Sequence, residues 1–335
     1  MTPGFGHRTM HRRSLLAALG AAPLLAAVGG SAHAQSSSRN LKSIARDPRG
    51  TTLWLALDHA PFPSPDAGYR DDTVVVFVPS HYRFRPDEGV AALVHFHGHN
   101  TSADRALVAH QLREQVVDSK QNAILVVPQL ATFAADSACG KLESQGGLSR
   151  LLEEAIDVVG REGRVTLGDT ALPRGAGLGT VCISAHSGGY HAAASCLRVG
   201  GADVRETYLF DALYAEVDTF RDWVVARRGE SLHRRHKLVS FFTEGSTTEA
   251  NDAVLRSGLD RAGMTCAREM QEGELSRHDI SHADAVFVRT GLWHSNVTWE
   301  TNALRDCLFA SALPRHLAST WFARKSEARS IERRR

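Results

Sequence analysis

A serine at a sharp turn is the first feature of the sequence that could carry out chemistry. The run that begins at Val181 is apolar and of strand type, and Ser187 follows it with Ala185 two residues before and Gly189 two residues after. Small residues at these positions are typical of a nucleophile elbow, because bulkier ones would clash where strand and helix meet. The alternative is a buried strand, a glycine turn and a core helix without chemistry, and alanine stands at 185 where such elbows usually have glycine.

Three later side chains could supply the base and the acid that a nucleophilic serine requires. Asp211, Glu244 and His294 each follow an apolar run of strand type. A histidine can take the serine proton near neutral pH, and a buried carboxylate fixes the tautomer of that histidine. His294 is therefore the candidate base. Asp211 is the preferred acid and Glu244 the alternative, because Glu244 lies in a loop rich in Gly, Ser and Thr.

These side chains need a sheet that brings strand ends together. Strands are predicted at 51–57, 73–79, 90–96, 123–128, 181–185, 207–210, 237–243 and 285–289, and helices at 102–118, 148–159, 216–228, 248–262 and 297–310. Alternating strands and helices indicate an α/β fold, with a mostly parallel central sheet and helices on both faces. The first two strands have no helix between them, so an antiparallel edge is expected. Ligands bind such sheets beyond the carboxyl ends of the strands.

The order serine, acid, histidine, each at a strand end, resembles the α/β-hydrolase superfamily over roughly residues 51–313. The resemblance implies Ser187 as nucleophile, His294 as base and Asp211 as acid, in a serine hydrolase that cleaves a carboxylic ester, or else an amide, through an acyl-enzyme and without a cofactor. The His-Gly pair after the third strand looks like the superfamily's oxyanion loop, which implies the backbone amides of His99 and Gly188 as the oxyanion hole. No large lid domain is visible.

Substrate contacts are predicted next to these positions. Tyr190, Tyr214 and Trp293 neighbour the elbow, the acid and the base in the sequence, and they could line the pocket or simply pack in the core. The substrate is a small molecule or the end of a polymer or peptide.

A rival hypothesis uses metal chemistry. His95, His97 and His99 alternate, so an extended backbone would place all three on one face, where they could bind zinc or copper. A copper oxidase would also need a cysteine–histidine cluster near its end, and no histidine adjoins Cys307. A third possibility is a non-catalytic binding protein on a hydrolase fold.

The N-terminus predicts export. Arg12 and Arg13 precede an apolar run that ends in the small-x-small sequence before Gln35, which is typical of a signal peptide of the twin-arginine type over residues 1–34. The run is too short to span a membrane. We therefore expect recognition by the export machinery, cleavage after residue 34, and a periplasmic or secreted product.

The remaining chain divides into a flexible lead-in at 35–50, one catalytic domain at 51–315 and a basic tail at 316–335. Without the first 34 residues, 36 basic side chains face 37 acidic ones, and this balance does not favour a nucleic-acid partner. The five cysteines leave at least one free thiol, and any disulfide is expected to join two of Cys139, Cys266 and Cys307.

Overall fold

A ten-stranded, mostly parallel sheet forms the centre of the computed structural model, which describes residues 40–65, 68–166, 172–270 and 274–316. The strands are β1 (Leu41–Asp47), β2 (Gly50–Ala56), β3 (Thr73–Pro79), β4 (Val90–Phe96), β5 (Ile124–Pro128), β6 (Leu178–His186), β7 (Val204–Phe210), β8 (Lys237–Thr243), β9 (Cys266–Glu269) and β10 (Ala285–Thr290). The helices are α1 (Ala103–Ala109), α2 (Leu112–Ser119), α3 (Gly147–Thr166), α4 (Tyr190–Val199), α5 (Val217–Val225), α6 (Thr247–Arg261), α7 (Arg277–His282) and α8 (Ala303–Phe309).

Both faces of the sheet are buried, which explains why the strands read as continuous apolar runs. Along β3, Val74 and Val76 point to one face, and Val75 and Phe77 point to the other. The first face packs against apolar side chains of α3, α4, α5 and α6. The second packs against α1, α2 and α8. Since successive side chains of a strand point to opposite faces, a strand covered on both sides needs apolar residues throughout.

The strand order places the carboxyl ends of the middle strands side by side. The order across the sheet is β1-β2-β3-β5-β4-β6-β7-β8-β10-β9. The pairs among β4 to β10 are parallel, whereas β2 pairs antiparallel with β1 and β3, and β3 pairs antiparallel with β5. The described connections hold at most two helices each and no inserted lid domain. This is the α/β-hydrolase fold, with the antiparallel edge that the sequence predicts.

Two secondary-structure predictions for the N-terminal half of the chain are wrong. Residues 41–47, placed in the flexible lead-in, form β1, which is held by its backbone ladder with β2 while most of its side chains are exposed. An exposed edge strand carries no apolar pattern that could reveal it. The single helix expected at 102–118 is two helices, because Gln111 adopts a left-handed conformation (φ 48°) and the neighbouring His110 is buried.

The last third of the chain differs from its prediction in three places. Strand β9 and helix α7 are short, four and six residues, and were not predicted. The helix expected at 297–310 begins only at Ala303, after Asn302 takes a left-handed conformation (φ 56°). Short elements give too few residues to establish a period, so they escape pattern analysis.

The proposed signal peptide at 1–34 and all but His316 of the basic tail lie outside the described residues. No helix in the described part of the chain is long and apolar enough to cross a membrane. All five cysteines are free thiols, and none of Cys139, Cys266 and Cys307 is bridged.

Candidate active site

Ser187 lies at the tip of a strained turn between β6 and α4. Its φ is +54°, a left-handed conformation that costs energy for any residue except glycine. The turn also leaves no room for side chains at the two residues that follow the serine. A Cβ on Gly188 would lie 2.3 Å from the carbonyl oxygen of Ala135, and one on Gly189 would lie 2.5 Å from that of Phe96. The small residues in the sequence motif are therefore required by contact with neighbouring backbone.

The loop after β4 touches the serine. A Cβ on Gly98 would lie 2.7 Å from the Cβ of Ser187, so the two backbones approach as closely as glycine allows. His97 braces this loop: its Nδ1–H donates to the oxygen of Gly98 (2.9 Å), and its Nε2 accepts from the N–H of Leu130 (2.9 Å). Burial lowers the pKa of His97 to about 4, which keeps the ring neutral. His99 follows directly and is exposed.

Asp211 and His294 form a hydrogen-bonded acid–base pair at this edge. Nδ1–H of His294 donates to Oδ2 of Asp211 at 2.6 Å. Asp211 itself is 1% exposed and also accepts from the hydroxyls of Thr243 (3.1 Å) and Thr248. Burial raises the pKa of Asp211, but the hydrogen bonds from His294 and Thr248 outweigh it, and the net pKa lies below its ordinary value. The carboxylate is therefore charged and fixed.

Glu244 takes a different partner. Its side chain is 68% exposed and forms an ion pair with Arg289 on β10. The structure thus brings Asp211 to His294 and leaves Glu244 at the surface. The two threonines that hold Asp211 could not be identified beforehand, although Thr248 lies at the start of a predicted helix close to a strand end.

His186, which sequence reasoning did not consider, connects the elbow to the loop of His294. Its Nε2–H donates to the backbone oxygen of His294 at 2.9 Å, and the two ring centroids are 4.7 Å apart. Burial lowers the pKa of His186 to about 4, so the ring stays neutral. The residue before the serine therefore anchors the backbone that presents the histidine.

The three alternating histidines at and after the end of β4 do not converge on a common point. His95 bonds to the hydroxyl of Ser184 (2.8 Å) and to His110 (3.1 Å), whereas His97 bonds to the loop at Leu130. His99 is exposed. The zinc or copper site hypothesised at these residues is therefore not formed: the strand ends at Phe96, and the rings of His95 and His97 bond to different partners.

Two tyrosines follow one another beside the histidine. Tyr214 lies edge-on to His294 with centroids 6.3 Å apart, and Tyr190 lies 6.3 Å from Tyr214. Burial raises the pKa of both tyrosines, so both keep their protons at neutral pH. Trp293 is 82% exposed, and Phe133 is 77% exposed.

A cavity of about 370 Å³ lies near the ends of β8, β9 and β10, but Ser187, Asp211 and His294 do not line it.

Comparisons with known proteins return distant similarities to solved structures. No protein-family model and no curated protein matches the chain. Similar solved structures include a ferulic acid esterase, with 10% identity, a TM-score of 0.44, and coverage of 71% of this chain and 91% of that one. They also include an S-formylglutathione hydrolase from Agrobacterium tumefaciens, with 12% identity, a TM-score of 0.39, and coverage of 75% of this chain and 90% of that one. Another is an S954A mutant of the feruloyl esterase module from Clostridium thermocellum, complexed with sinapinate, with 14% identity, a TM-score of 0.42, and coverage of 80% of this chain and 94% of that one. At such low identities and TM-scores, these likenesses assign no activity.

Proposed function

We propose that the chain is a serine hydrolase that cleaves carboxylic esters, with amides as the second substrate class. The observation that carries the proposal is the buried carboxylate of Asp211, 2.6 Å from Nδ1 of His294, whose backbone is anchored by the residue preceding Ser187. A charged carboxylate on Nδ1 keeps the proton there and leaves Nε2 of the imidazole with a free lone pair. Such a nitrogen can accept the proton of a serine hydroxyl.

Acylation would proceed in two proton movements. Nε2 of His294 takes the proton as Oγ of Ser187 bonds to the carbonyl carbon, and the carbonyl oxygen becomes negatively charged. The amides of His99 and Gly188 would donate to that oxygen, a contribution of about 3 kcal/mol for each donor. The imidazolium, stabilised by Asp211, then gives its proton to the departing alcohol or amine.

Deacylation would repeat the sequence with water. His294 takes a proton from water while the water oxygen bonds to the acyl carbon, and the tetrahedral species collapses as the proton passes to Oγ of Ser187. The products are a carboxylic acid and the regenerated serine. No cofactor enters these steps.

The surroundings favour a substrate that has an apolar part and approaches from the surface. The side chain of His294 is 42% exposed, its neighbour Trp293 is largely exposed, and so is Phe133, two residues before Ala135 in the loop that contacts Gly188. Tyr214 lies next to His294, and Tyr190 lies next to Tyr214, so aromatic surface adjoins the histidine. An open site of this kind can admit a small ester or the end of a polymer or peptide.

The experiment is labelling of the purified protein with a fluorophosphonate, followed by mass mapping of the modified residue. We expect label on Ser187, which Ser187→Ala removes while the melting temperature Tm is retained. Ser295→Ala, which changes an exposed serine beside the histidine, is the matched control and should label at the normal rate. Label on another residue, or undiminished ester hydrolysis by Ser187→Ala, would refute the proposal and favour a non-catalytic binding protein or a different chemistry.

We also propose that residues 1–34 are a signal peptide and that the product is periplasmic or secreted. Intact mass and fractionation of the natural host would test this. A mature chain beginning at Gln35 outside the cytoplasm is expected, and full-length protein confined to the cytoplasm contradicts the proposal.

A further inference from the structure

Three side chains with metal-binding atoms meet one helical turn away from the elbow. Sγ of Cys139, a carboxylate oxygen of Glu143 and a ring nitrogen of His191 all lie within 4.8 Å of one another. Oε1 of Glu143 is 3.6 Å from Sγ of Cys139 and 3.6 Å from Nε2 of His191. Cys139 precedes a 3₁₀ turn in the loop after β5, and Glu143 is the last residue of that turn. His191 lies on α4, four residues after Ser187.

A second carboxylate orients the histidine. Nδ1 of His191 lies 2.6 Å from Oε1 of Glu216, and Glu216 also accepts from Arg198 at 3.2 Å. Since the carboxylate can only accept, Nδ1 of His191 donates to Glu216, and Nε2 is directed at the carboxylate of Glu143, 3.6 Å away. The same oxygen of Glu143 accepts from the backbone N–H of Cys139 at 3.2 Å, which holds the carboxylate beside the thiol and the imidazole.

The spacing fits a metal ion. Zinc bonds of about 2.0 Å to oxygen and nitrogen and 2.3 Å to sulfur, at tetrahedral angles, set neighbouring ligand atoms roughly 3.3 to 3.6 Å apart. The separations from Oε1 of Glu143, 3.6 Å to Sγ of Cys139 and 3.6 Å to Nε2 of His191, lie at the upper end of this range, and all three atoms lie within 4.8 Å of one another, so small side-chain movements would close them around the ion. A carboxylate on the outer nitrogen of a ligating histidine is the usual support in zinc sites, because it fixes the ring and raises its basicity.

We propose that Cys139, Glu143 and His191 bind a divalent zinc ion, with Glu216 as the supporting carboxylate. The thiolate, imidazole and carboxylate set suits zinc better than calcium or magnesium, which prefer oxygen ligands. The ion replaces the thiol proton of Cys139, which leaves to solvent. Cys139 is buried, but the side chain of Glu143 is 45% exposed, so solvent can supply a fourth ligand.

Bound zinc would connect the loop after β5 to helix α4 beside the elbow. The loop of Cys139 and Glu143 also carries Ala135, whose oxygen lies against Gly188. Zinc would fasten this loop to α4 and hold the backbone beside the serine. The site stands apart from the proposed catalytic residues, so its test does not depend on hydrolysis.

The test is metal binding by the intact, reduced and chelator-stripped protein. Zinc is titrated against a chromophoric competitor, and cobalt(II) is used as a spectroscopic probe. We expect one zinc per chain, a thiolate-to-cobalt charge-transfer band, and a higher Tm with zinc but not with calcium. Cys139→Ser should remove the charge-transfer band, and His191→Gln should remove tight binding. Glu216→Gln should weaken binding by about 10- to 100-fold, as expected for a supporting residue.

Cys266→Ser is the matched control, because Cys266 is the one cysteine that is only partly buried and it lies on β9. It should bind zinc with unchanged affinity and keep the cobalt band. The proposal is overturned if the reduced protein binds no stoichiometric zinc, since the three side chains would then be joined by hydrogen bonds alone. It is equally overturned if binding persists in both His191→Gln and Cys139→Ser.

Discussion

The contact between Gly98 and Ser187 gives the sharpest prediction about the site. In Gly98→Ala, the new methyl group would lie 2.7 Å from the Cβ of Ser187, 3.2 Å from its Oγ and 3.0 Å from the oxygen of His186. Ordinary contact begins at 3.4 Å, so the loop and the serine must separate by about 0.7 Å. Gly98 is not in a left-handed conformation, and alanine therefore adds no backbone strain there.

The displacement should slow the reaction more than it destabilises the fold. A misplacement of about 1 Å in a catalytic site can cost about 100-fold in rate. We therefore expect Gly98→Ala to lower the rate of fluorophosphonate labelling by about 10- to 100-fold, which corresponds to about 1.4 to 2.7 kcal/mol of activation free energy. Labelling is the suitable assay, because it reports on the serine without knowledge of the substrate.

Gly177→Ala is the matched control. A Cβ at Gly177 meets nothing within 4 Å, and its φ is not left-handed, so this variant should label at the normal rate. Both proteins are compared at equal folded fraction, measured by circular dichroism. Labelling of Gly98→Ala within about twofold of the unchanged protein would refute the claim that the close approach of this loop positions the nucleophile.

Three further predictions concern the groups behind the serine. Asp211→Asn should lower the labelling rate by about 10³- to 10⁴-fold, because the amide favours the wrong tautomer of His294. Glu244→Gln should change the labelling rate less than about twofold. Equal losses in the two variants would contradict the assignment of Asp211 as the acid. His186→Phe leaves the backbone oxygen of His294 without its hydrogen-bond donor and should slow labelling about tenfold at a similar Tm. An unchanged labelling rate would show that His186 does not position His294. The pKa of His97 and His186 is about 4 in the fold and about 6.5 when unfolded, so the unfolded chain binds more protons between these values. The free energy of unfolding should therefore fall as the pH drops from about 6.5 towards 4, by up to about 1.4 kcal/mol per pH unit for each histidine, and a constant Tm across this range would contradict it.

The sequence was most informative where parallel strands end. Ser187, Asp211 and His294 were predicted at the ends of strands, and they follow β6, β7 and β10 in the structure. This works because buried parallel strands have long apolar runs, and because their carboxyl ends meet at one edge. The fold class follows from the same alternation of strands and helices.

Contacts between distant segments were beyond sequence reasoning. Both Asp211 and Glu244 follow strands, and only their packing separates a carboxylate held by two threonines from one paired with Arg289 at the surface. The bond from His186 to the backbone of His294 joins residues 108 positions apart. Nothing in the spacing of His95, His97 and His99 indicated that the first two rings would bond to different partners and that the third would be exposed.

Strand β1 has a consequence for how the protein behaves in concentrated solution. It occupies one edge of the sheet, six of its seven residues are exposed, and it carries Lys42, Arg46 and Asp47. Charged, exposed residues on an edge strand discourage pairing with the edge of another molecule. A chain shortened to begin at residue 48 would instead present β2, which contains the buried Leu53 and Leu55, as the open edge. Such a chain should keep its core but self-associate, which would appear as light scattering that rises with protein concentration. Strand β1 therefore protects the sheet edge against aggregation.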